Sequence, residues 1–529
     1  MILALGAVLA VPGARAQMQN GRATVHALAA QAAQSPADEA GPYDRRGWLE
    51  RFYAPRGYAL VWTPSLAESA LALLRQAPGE GLDPDDYGVD ALQRELHAPG
   101  ADAAHFDAAL TAAMLHYLAD LRLGRVRSEY HAELPDPRLQ TFNPVELLRT
   151  ALANNNLAAA VRGAEPALAP YGRTRAALAR YRELAALPYP QLPQTGDKVR
   201  PGERYRGALA LFDRLVLFGD LPPDATRPKQ RVYSQLLAQG VKRFQSRHGL
   251  DEDGVLGRST LATLNIPPRQ RVRQLELALE RLRWLPDFAP GPLIAVDLPA
   301  FRLWAFPAAA DAAPLEMRVV IGTAVKTPTP LFVGQMRYLE FNPYWNVPRS
   351  ITLSEIIPKL AANPGYLAQN DMELVPAGST LAALQAGKAR VRQRPGPRNS
   401  LGAVKFAMPN PMDIYLHSTP ARELFRRTRR DLSHGCIRVE HPDALARFVL
   451  AGQPQWAEDE IEAAMEPGRT RRVDLRAPIP VVIFYSTATI DSEGKARFAP
   501  DVYQRDPLLE QALAEHESEI VTAPPGPTE

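Results

Sequence analysis

A single cysteine in 529 residues excludes an intramolecular disulfide framework and any zinc site built on several thiolates. That one thiol is either a small buried hydrophobe or a reactive group. Charge of one sign is equally scarce. The 61 basic and 58 acidic side chains leave a formal net charge of +3, which argues against a nucleic-acid binder that works through a large positive field. No later stretch matches the roughly 20 apolar residues that a membrane span requires. With 46% hydrophobic and 22% charged residues the chain is ordinary globular material, neither disordered nor polytopic. It is too long for one core, and at roughly 150 residues per domain it predicts three or four modules.

What is present begins with an apolar run from Ile2 to Val11, then Pro12-Gly13, then a small-x-small pattern at Ala14-Arg15-Ala16 before Gln17. This reads as a signal peptide over residues 1–16, although no Lys or Arg precedes the run, and it predicts export. From about Ala23 to Ala185 apolar residues recur at helical spacing, as in Leu66, Ala70, Leu73, Leu74 and in Leu110, Met114, Leu118, Leu121. The segment from Leu187 to Pro201 is rich in Pro with Gln, Thr and Gly and reads as a linker. Beyond it a helix carrying Tyr233, Leu237, Val241 and Phe244 stops at Gly249. A turn through Asp251, Asp253 and Gly254 follows, and a second helix starts near Ser259 as N-cap. A longer amphipathic helix bears Val272, Leu275, Leu279 and Leu282.

From Leu293 the period changes to that of strands: Leu293–Leu298, Phe301–Trp304, Met317–Ile321 and Arg337–Phe341 are β-rich. Residues Ser350 to Ala389 revert to helical and loop composition, an excursion longer than most connections and of a kind that often forms a lid. Val481–Tyr485 and Ala496–Phe498 read as a late hairpin about Asp491-Ser492-Glu493-Gly494, and Ala523–Glu529 as a disordered tail.

The cysteine lies in Ser433-His434-Gly435-Cys436-Ile437-Arg438-Val439, with a second histidine upstream in Ile414-Tyr415-Leu416-His417-Ser418. A thiol nucleophile needs a base and oxyanion donors. Strand-like Ile414–Leu416 would present His417 at a strand end, and Gly435 would let the N–H groups of Gly435 and Cys436 turn toward a substrate carbonyl. On residue chemistry alone, a packed structural cysteine fits as well as a nucleophile. Arg422, Arg426, Arg427, Arg429 and Arg430 precede this loop; a solvated basic face and a carboxylate-binding face both remain open.

Two resemblances extend the reading. Val241-Lys242-Arg243-Phe244-Gln245, His248-Gly249-Leu250, Asp253-Gly254-Val255-Leu256-Gly257 and Thr260-Leu261 resemble the small three-helix peptidoglycan-binding domain. His417 ahead of Ser433-His434-Gly435-Cys436, with Thr327-Pro328-Thr329-Pro330, Asn342-Pro343-Tyr344-Trp345-Asn346-Val347-Pro348 and Pro395-Gly396-Pro397 upstream, is similar to the L,D-transpeptidase catalytic domain, often called the YkuD domain. The flanking layout resembles the large subgroup of that family. The implied architecture is multidomain α+β: a helical scaffold over residues 23–200, a peptidoglycan-binding domain with connecting helix over 205–290, a mostly-β catalytic domain over 293–485 with a capping insertion at 350–389, and a C-terminal hairpin and tail over 486–529.

The resemblance also implies roles. Cys436 would be the nucleophile and His417 the base, the backbone carbonyl of Ser418 would orient the imidazole, and His434 and Gly435 would line the oxyanion site. Tyr344, Trp345, Tyr415, Ser433 and Arg438 would contact substrate; many members carry Asn where this chain has Arg438. No metal or organic cofactor is implied. The partners would be donor and acceptor peptidoglycan stems, together with other cell-wall synthases, in the periplasm. The implied reaction releases D-alanine, passes through a thioester and forms a cross-link between two third-position residues, and carbapenems would acylate the same thiol. Water or a protein amine as acceptor, or a non-catalytic wall-binding scaffold, stay open as alternatives.

Overall fold

In the N-terminal third the amphipathic helices close on one another. The computed structural model of the protein describes residues 12–34, 44–127, 131–132, 137–196, 198–309 and 312–521. The Ile2–Val11 run and the Ala523–Glu529 tail lie outside the described residues, and Ala14–Ala16 fall within a helix, Pro12–Gln34. Around the long helix Ala103–Leu123, whose first turn is capped by the Asp102 carboxylate, Leu110, Met114, Leu118 and Leu121 are wholly buried. Each large aliphatic side chain buried this way contributes about 1.5–3 kcal/mol. On the helix Pro64–Leu74 the buried stripe is Ala67, Ala70, Leu71 and Leu74, offset from the predicted set, with Leu66 and Leu73 on its flank.

The peptidoglycan-binding-like unit has three short helices, Ala208–Leu217, Gln235–Arg247 and Arg258–Leu264. Ser234 caps the second through its side chain, as Ser/Thr N-caps do. The third starts two residues earlier than expected, so Ser259 lies inside the helix and Gly257 at its cap. Buried Gln245 pins the turn between them, accepting from Gly254 N–H at 2.8 Å and donating to Asp253 and Val255. Gly254 has φ +68°, and a Cβ there would press on the Ala238 carbonyl at 3.1 Å, so the position requires glycine. The Pro-rich stretch expected to be a linker instead belongs to this core: Leu192 is buried in it and Val199 bridges Leu256. Proline prevents helix formation there without preventing burial.

The connecting helix Pro268–Arg283 packs on the scaffold helix Ala169–Ala185, and Leu275 and Leu279 enter the scaffold core. Its end carries a buried ionic cluster in which Glu280 accepts from the Arg125 N–H at 2.7 Å and pairs with Arg283 at 3.1 Å.

The region from Leu293 onward is a ring of eight strands: β1 (Leu293–Asp297), β2 (Arg302–Phe306), β3 (Leu315–Gly322), β4 (Phe332–Phe341), β5 (Val404–Ala407), β6 (Leu416–His417), β7 (Ile437–Val439) and β8 (Arg471–Phe484). The hydrogen-bonded order is β4-β8-β1-β2-β3-β7-β6-β5, and β5 pairs back to β4, closing a barrel. Its core includes Ile294, Val296, Val319, Ile321, Leu339, Phe406, Leu416 and Ile437, covered by the helix Pro442–Leu450. Alternation of these apolar residues with outward polar ones fixes the register.

Two segments depart from the sequence reading. The excursion after β4 is helical only in part. It carries a three-stranded sheet of Trp345–Asn346, Arg390–Gln393 and Met372–Val375, a π-helical turn at Thr352–Ile356 and a core of Val347, Ile351, Ile356, Leu384 and Val391. After β8, Ala488–Ile490 pairs Ala496–Phe498, so the hairpin partner is Ala488–Ile490, while Val481–Phe484 belongs to the barrel. The hairpin packs in the scaffold core, and a further helix, Arg505–Val521, places Leu509 and Leu513 against Val126, Leu277 and Trp284. The chain thus returns to the scaffold after completing the barrel.

Candidate active site

The barrel brings the cysteine and the first histidine onto one face. β6 and β7 run parallel with Leu416 opposite Ile437 and His417 opposite Arg438, and the Ile437 N–H donates to the Tyr415 carbonyl at 3.1 Å. Leu416 and Ile437 point into the core with no exposure. By alternation Tyr415, His417, Cys436 and Arg438 share the opposite face. Cys436 is level with Tyr415, so its Cα lies about 8 Å from that of His417 by strand spacing and rise, within reach of an imidazole.

The loop that carries the thiol is held from several sides. Gly435 has φ +116°, a conformation open to glycine and strained for other residues. Its carbonyl accepts from Thr329 Oγ1 at 2.7 Å, and that hydroxyl accepts from the Gly322 N–H at 2.9 Å. A Cβ on Gly322 would lie 2.0 Å from the Thr327 carbonyl and 3.0 Å from Gly435 Cα, so strand and loop meet only because the residue is glycine. Ser433, buried, donates to the Cys436 carbonyl at 2.6 Å and accepts from the Gly435 N–H at 3.2 Å. Gly435 N–H is therefore engaged within the loop rather than turned to a substrate, and Ser433 braces the loop. The Cys436 N–H makes no hydrogen bond among the described residues, and it is the backbone donor available to an oxyanion.

The electrostatics favour an uncharged resting pair. His417 Nδ1 is 2.5 Å from the Ser418 carbonyl, so by this hydrogen bond Nδ1 is the donor and Nε2 keeps the lone pair. Burial and the neighbouring Arg438 guanidinium push His417 down to about 3, against the favourable Ser418 and Leu401 carbonyls. Burial also pushes the Cys436 thiol up, despite the Tyr415 N–H and hydroxyl that face the sulphur. The thiol donates weakly to the Asp413 carbonyl at 3.4 Å. A neutral thiol beside a neutral imidazole must lose its proton during attack, unlike a preformed thiolate. Iodoacetamide alkylation of Cys436, followed by intact mass, is therefore expected to keep accelerating above about pH 8.5, the ordinary thiol midpoint. A plateau already reached below pH 7 would show a resting ion pair instead.

The remaining predicted residues fall at different distances. Tyr415 interacts with the sulphur and the Trp345 indole, and Lys405 Nζ sits 4.3 Å over its ring. Arg438 is half-buried, its Nε has no hydrogen-bond partner and it makes no ion pair among the described residues, which leaves a cation beside the thiol. Tyr344 is exposed at the rim under the Arg392 guanidinium, 4.3 Å from the ring centroid. His434 is exposed and reaches the insertion, where its Nε2 pairs with Glu355, itself 3.3 Å from Lys359. Asp413, Glu355, Thr329 as a loop brace and Gly402 escaped the sequence reading. Gly402 is needed because a Cβ would lie 2.5 Å from Ser418 Oγ. Asp413 has φ +52° in a turn held by Asn410, whose Oδ1 accepts from the Met412 and Ile414 N–H groups.

Residues 291–462 match the family model described as the L,D-transpeptidase catalytic domain. The chain carries an L,D-transpeptidase (YkuD) catalytic domain. Residues 47–178 match the Scaffold domain, and residues 210–264 a provisionally described peptidoglycan-binding domain. A Haemophilus influenzae protein provisionally named as an L,D-transpeptidase is 33% identical over 243 residues, covering 44% of this chain and 48% of its own length. The chain spans about half the length of that curated relative. A solved L,D-transpeptidase from Xylanimonas cellulosilytica aligns at 16% identity and a TM-score of 0.17, over 56% of this chain and 100% of that one; no argument rests on this likeness. Among the described residues no cluster of His, Cys, Asp and Glu could hold a metal ion, and no helix is long and apolar enough to cross a membrane.

Proposed function

We propose that this chain is an exported L,D-transpeptidase that forms 3-3 cross-links in peptidoglycan through a Cys436 thioester, working in the periplasm at the cell wall. The observation that carries the reading is the shared strand face of Cys436, His417, Tyr415 and Arg438, with His417 Nδ1 held by the Ser418 carbonyl. In the first half-reaction the Cys436 proton passes to His417 Nε2 as sulphur attacks the carbonyl joining the third-position L-centre to D-alanine. D-Alanine takes that proton and leaves, and a thioester remains. The Cys436 N–H stabilises the oxyanion, and Arg438 offers its unpaired guanidinium to a carboxylate of the donor stem. In the second, the amine of an acceptor stem attacks the thioester, its proton goes to His417, and the thiol is restored.

The insertion acts here as a lid that favours the amine over water. Its separate core and its Glu355–His434 contact with the catalytic loop support that role. The test is product mass spectrometry of the full chain with disaccharide-tetrapeptide, beside a variant whose residues 350–389 are replaced by a short turn. Wild type is expected to release D-alanine and yield cross-linked dimers; the folded variant is expected to give a higher ratio of hydrolysed to cross-linked product. Absence of D-alanine release by wild type would overturn the enzymatic reading, and an unchanged ratio would overturn the lid. Acylation by a carbapenem, seen as a mass increment on Cys436, follows from the same attack on a strained lactam carbonyl.

A further inference from the structure

The arginine run before the catalytic loop has no part in the chemistry above. Three of its members, Arg426, Arg427 and Arg430, line a cavity of about 500 Å³ between the turn after helix Gln235–Arg247, β2 and β3, and the C-terminal hairpin, and Cys436 is not among its lining residues. Four of the cavity's arginines are already paired. Arg247 meets Asp220 at 2.6 Å, Arg318 meets Glu440 at 2.8 Å, and Arg302 and Arg497 share Glu316 at 3.4 and 3.2 Å. Arg426 and Arg427 are exposed and make no ion pair among the described residues. Arg430 is buried, and its N–H groups go to the carbonyls of Val319, Phe301, Arg427 and Thr428, so among the described residues it makes no ion pair.

The opposite wall differs in sign. Asp251 and Glu252, on the turn of the wall-binding unit, face the cavity without an ion pair among the described residues; Asp251 accepts from Thr428 in the arginine segment. On the floor is Asp297, with no exposure. Its Oδ1 accepts from the Ser486 N–H at 3.2 Å, while its Oδ2 is buried and has no hydrogen-bond partner among the described residues. A buried polar atom left unpaired costs about 1–3 kcal/mol, a cost that a ligand can remove. Burial raises Asp297 well above the usual carboxylate range. Uncompensated guanidinium groups on one wall, carboxylates on the other and a polar orphan on the floor suit a ligand that carries both carboxylates and an ammonium group.

We propose that this cavity is a second binding site for a peptidoglycan stem peptide, in which Arg426, Arg427 and Arg430 take its carboxylates and Asp251 and Glu252 take its free diamino-acid amine. The ligand class rests on the function proposed above; the cavity's charge pattern does not. The site is separate from the acyl site, because Glu440 on its rim lies four residues along the chain from Cys436, about 13 Å at strand rise. A stem held there is therefore a bound neighbour rather than the reacting acceptor, and Arg430 leads directly through Asp431–Ser433 to the catalytic loop.

Isothermal titration of the full chain bearing Cys436→Ala with disaccharide-tetrapeptide tests this. Two sites per chain are expected, one of them salt-sensitive and weakened at least tenfold by adding Arg426→Ala and Arg427→Ala. In the chain that keeps Cys436, the double arginine variant is expected to release D-alanine from the soluble tetrapeptide within twofold of wild type. A single site, or two sites unaffected by the arginine changes, would overturn the proposal in favour of a solvated basic face. A tenfold fall in turnover would overturn it too, by placing the arginines in the acyl site. Failure of the enzymatic reading is distinguishable, since wild type itself would then release no D-alanine whatever the titration showed.

Discussion

Replacing Cys436 with alanine is expected to abolish D-alanine release, a loss of about 10⁴-fold or more, while the thermal melt stays within about 1 °C of wild type. The thiol is half-exposed at the mouth of a loop held by Ser433, Thr329 and Gly435, none of which bonds to its sulphur, so its loss leaves the bracing intact. The chain's other cysteine count is nil, and no second thiol can substitute. His417→Ala is expected to lose most activity at neutral pH and to recover part of it in alkali, where more thiol ionises without a base. Release assayed by a coupled D-amino-acid oxidase reaction reads both. Turnover by a folded Cys436→Ala protein above a tenth of wild type would end the thioester mechanism, and a His417→Ala profile parallel to wild type would remove His417 as base.

The second large effect is structural. A chain stopped after Tyr485 keeps every barrel strand, yet it is expected not to accumulate as folded protein. Truncation removes Ile490, Phe498, Leu509 and Leu513 from scaffold-side cores, about 6–12 kcal/mol of apolar burial. It also strips buried Arg281 of its 2.6 Å partner Asp506, which adds about 3–5 kcal/mol for an orphaned buried charge. Together these reach or exceed the 5–15 kcal/mol that a domain commonly holds. Soluble yield and far-UV circular dichroism of the truncated chain are the measurements. A cooperative melt at the wild-type temperature would show that the return segment is dispensable. Asp506→Asn, which keeps the cores, is expected to fold with a lowered melting temperature and separates the charge from the burial.

The sequence announced what depends on local pattern. The Leu110–Leu121 stripe, the Ser234 cap and the β-rich runs that became β1 to β4 are read from periodicity and capping chemistry. It also marked Cys436 and His417, which the barrel sets on adjacent strands. What it concealed depends on distant neighbours. Leu192 and Val199 look like linker until the three-helix core is seen to need them. Val481–Phe484 resembles half of a hairpin because its strand character is real; only its pairing with β1 and β4 reveals a barrel strand. The short strand Met372–Val375 is half-buried throughout and gave no alternation to read. Gly435 was expected to free its N–H, and the Ser433 hydroxyl that captures it is a contact that no spacing rule supplies.

Closure of the barrel also dictates when folding can finish. β1 pairs on one side with β2, which follows it at once, but on the other with β8, which begins at residue 471. As the chain emerges in order, the apolar β1 therefore waits with one bare hydrogen-bonding edge from residue 297 until the far strand arrives, and β4 waits similarly for both β5 and β8. Unpaired edges of this kind template association with other chains, and pairings so distant in sequence form slowly. The nascent protein is thus most prone to aggregate just before its last barrel strand is available, and a holding chaperone would act on it in that interval.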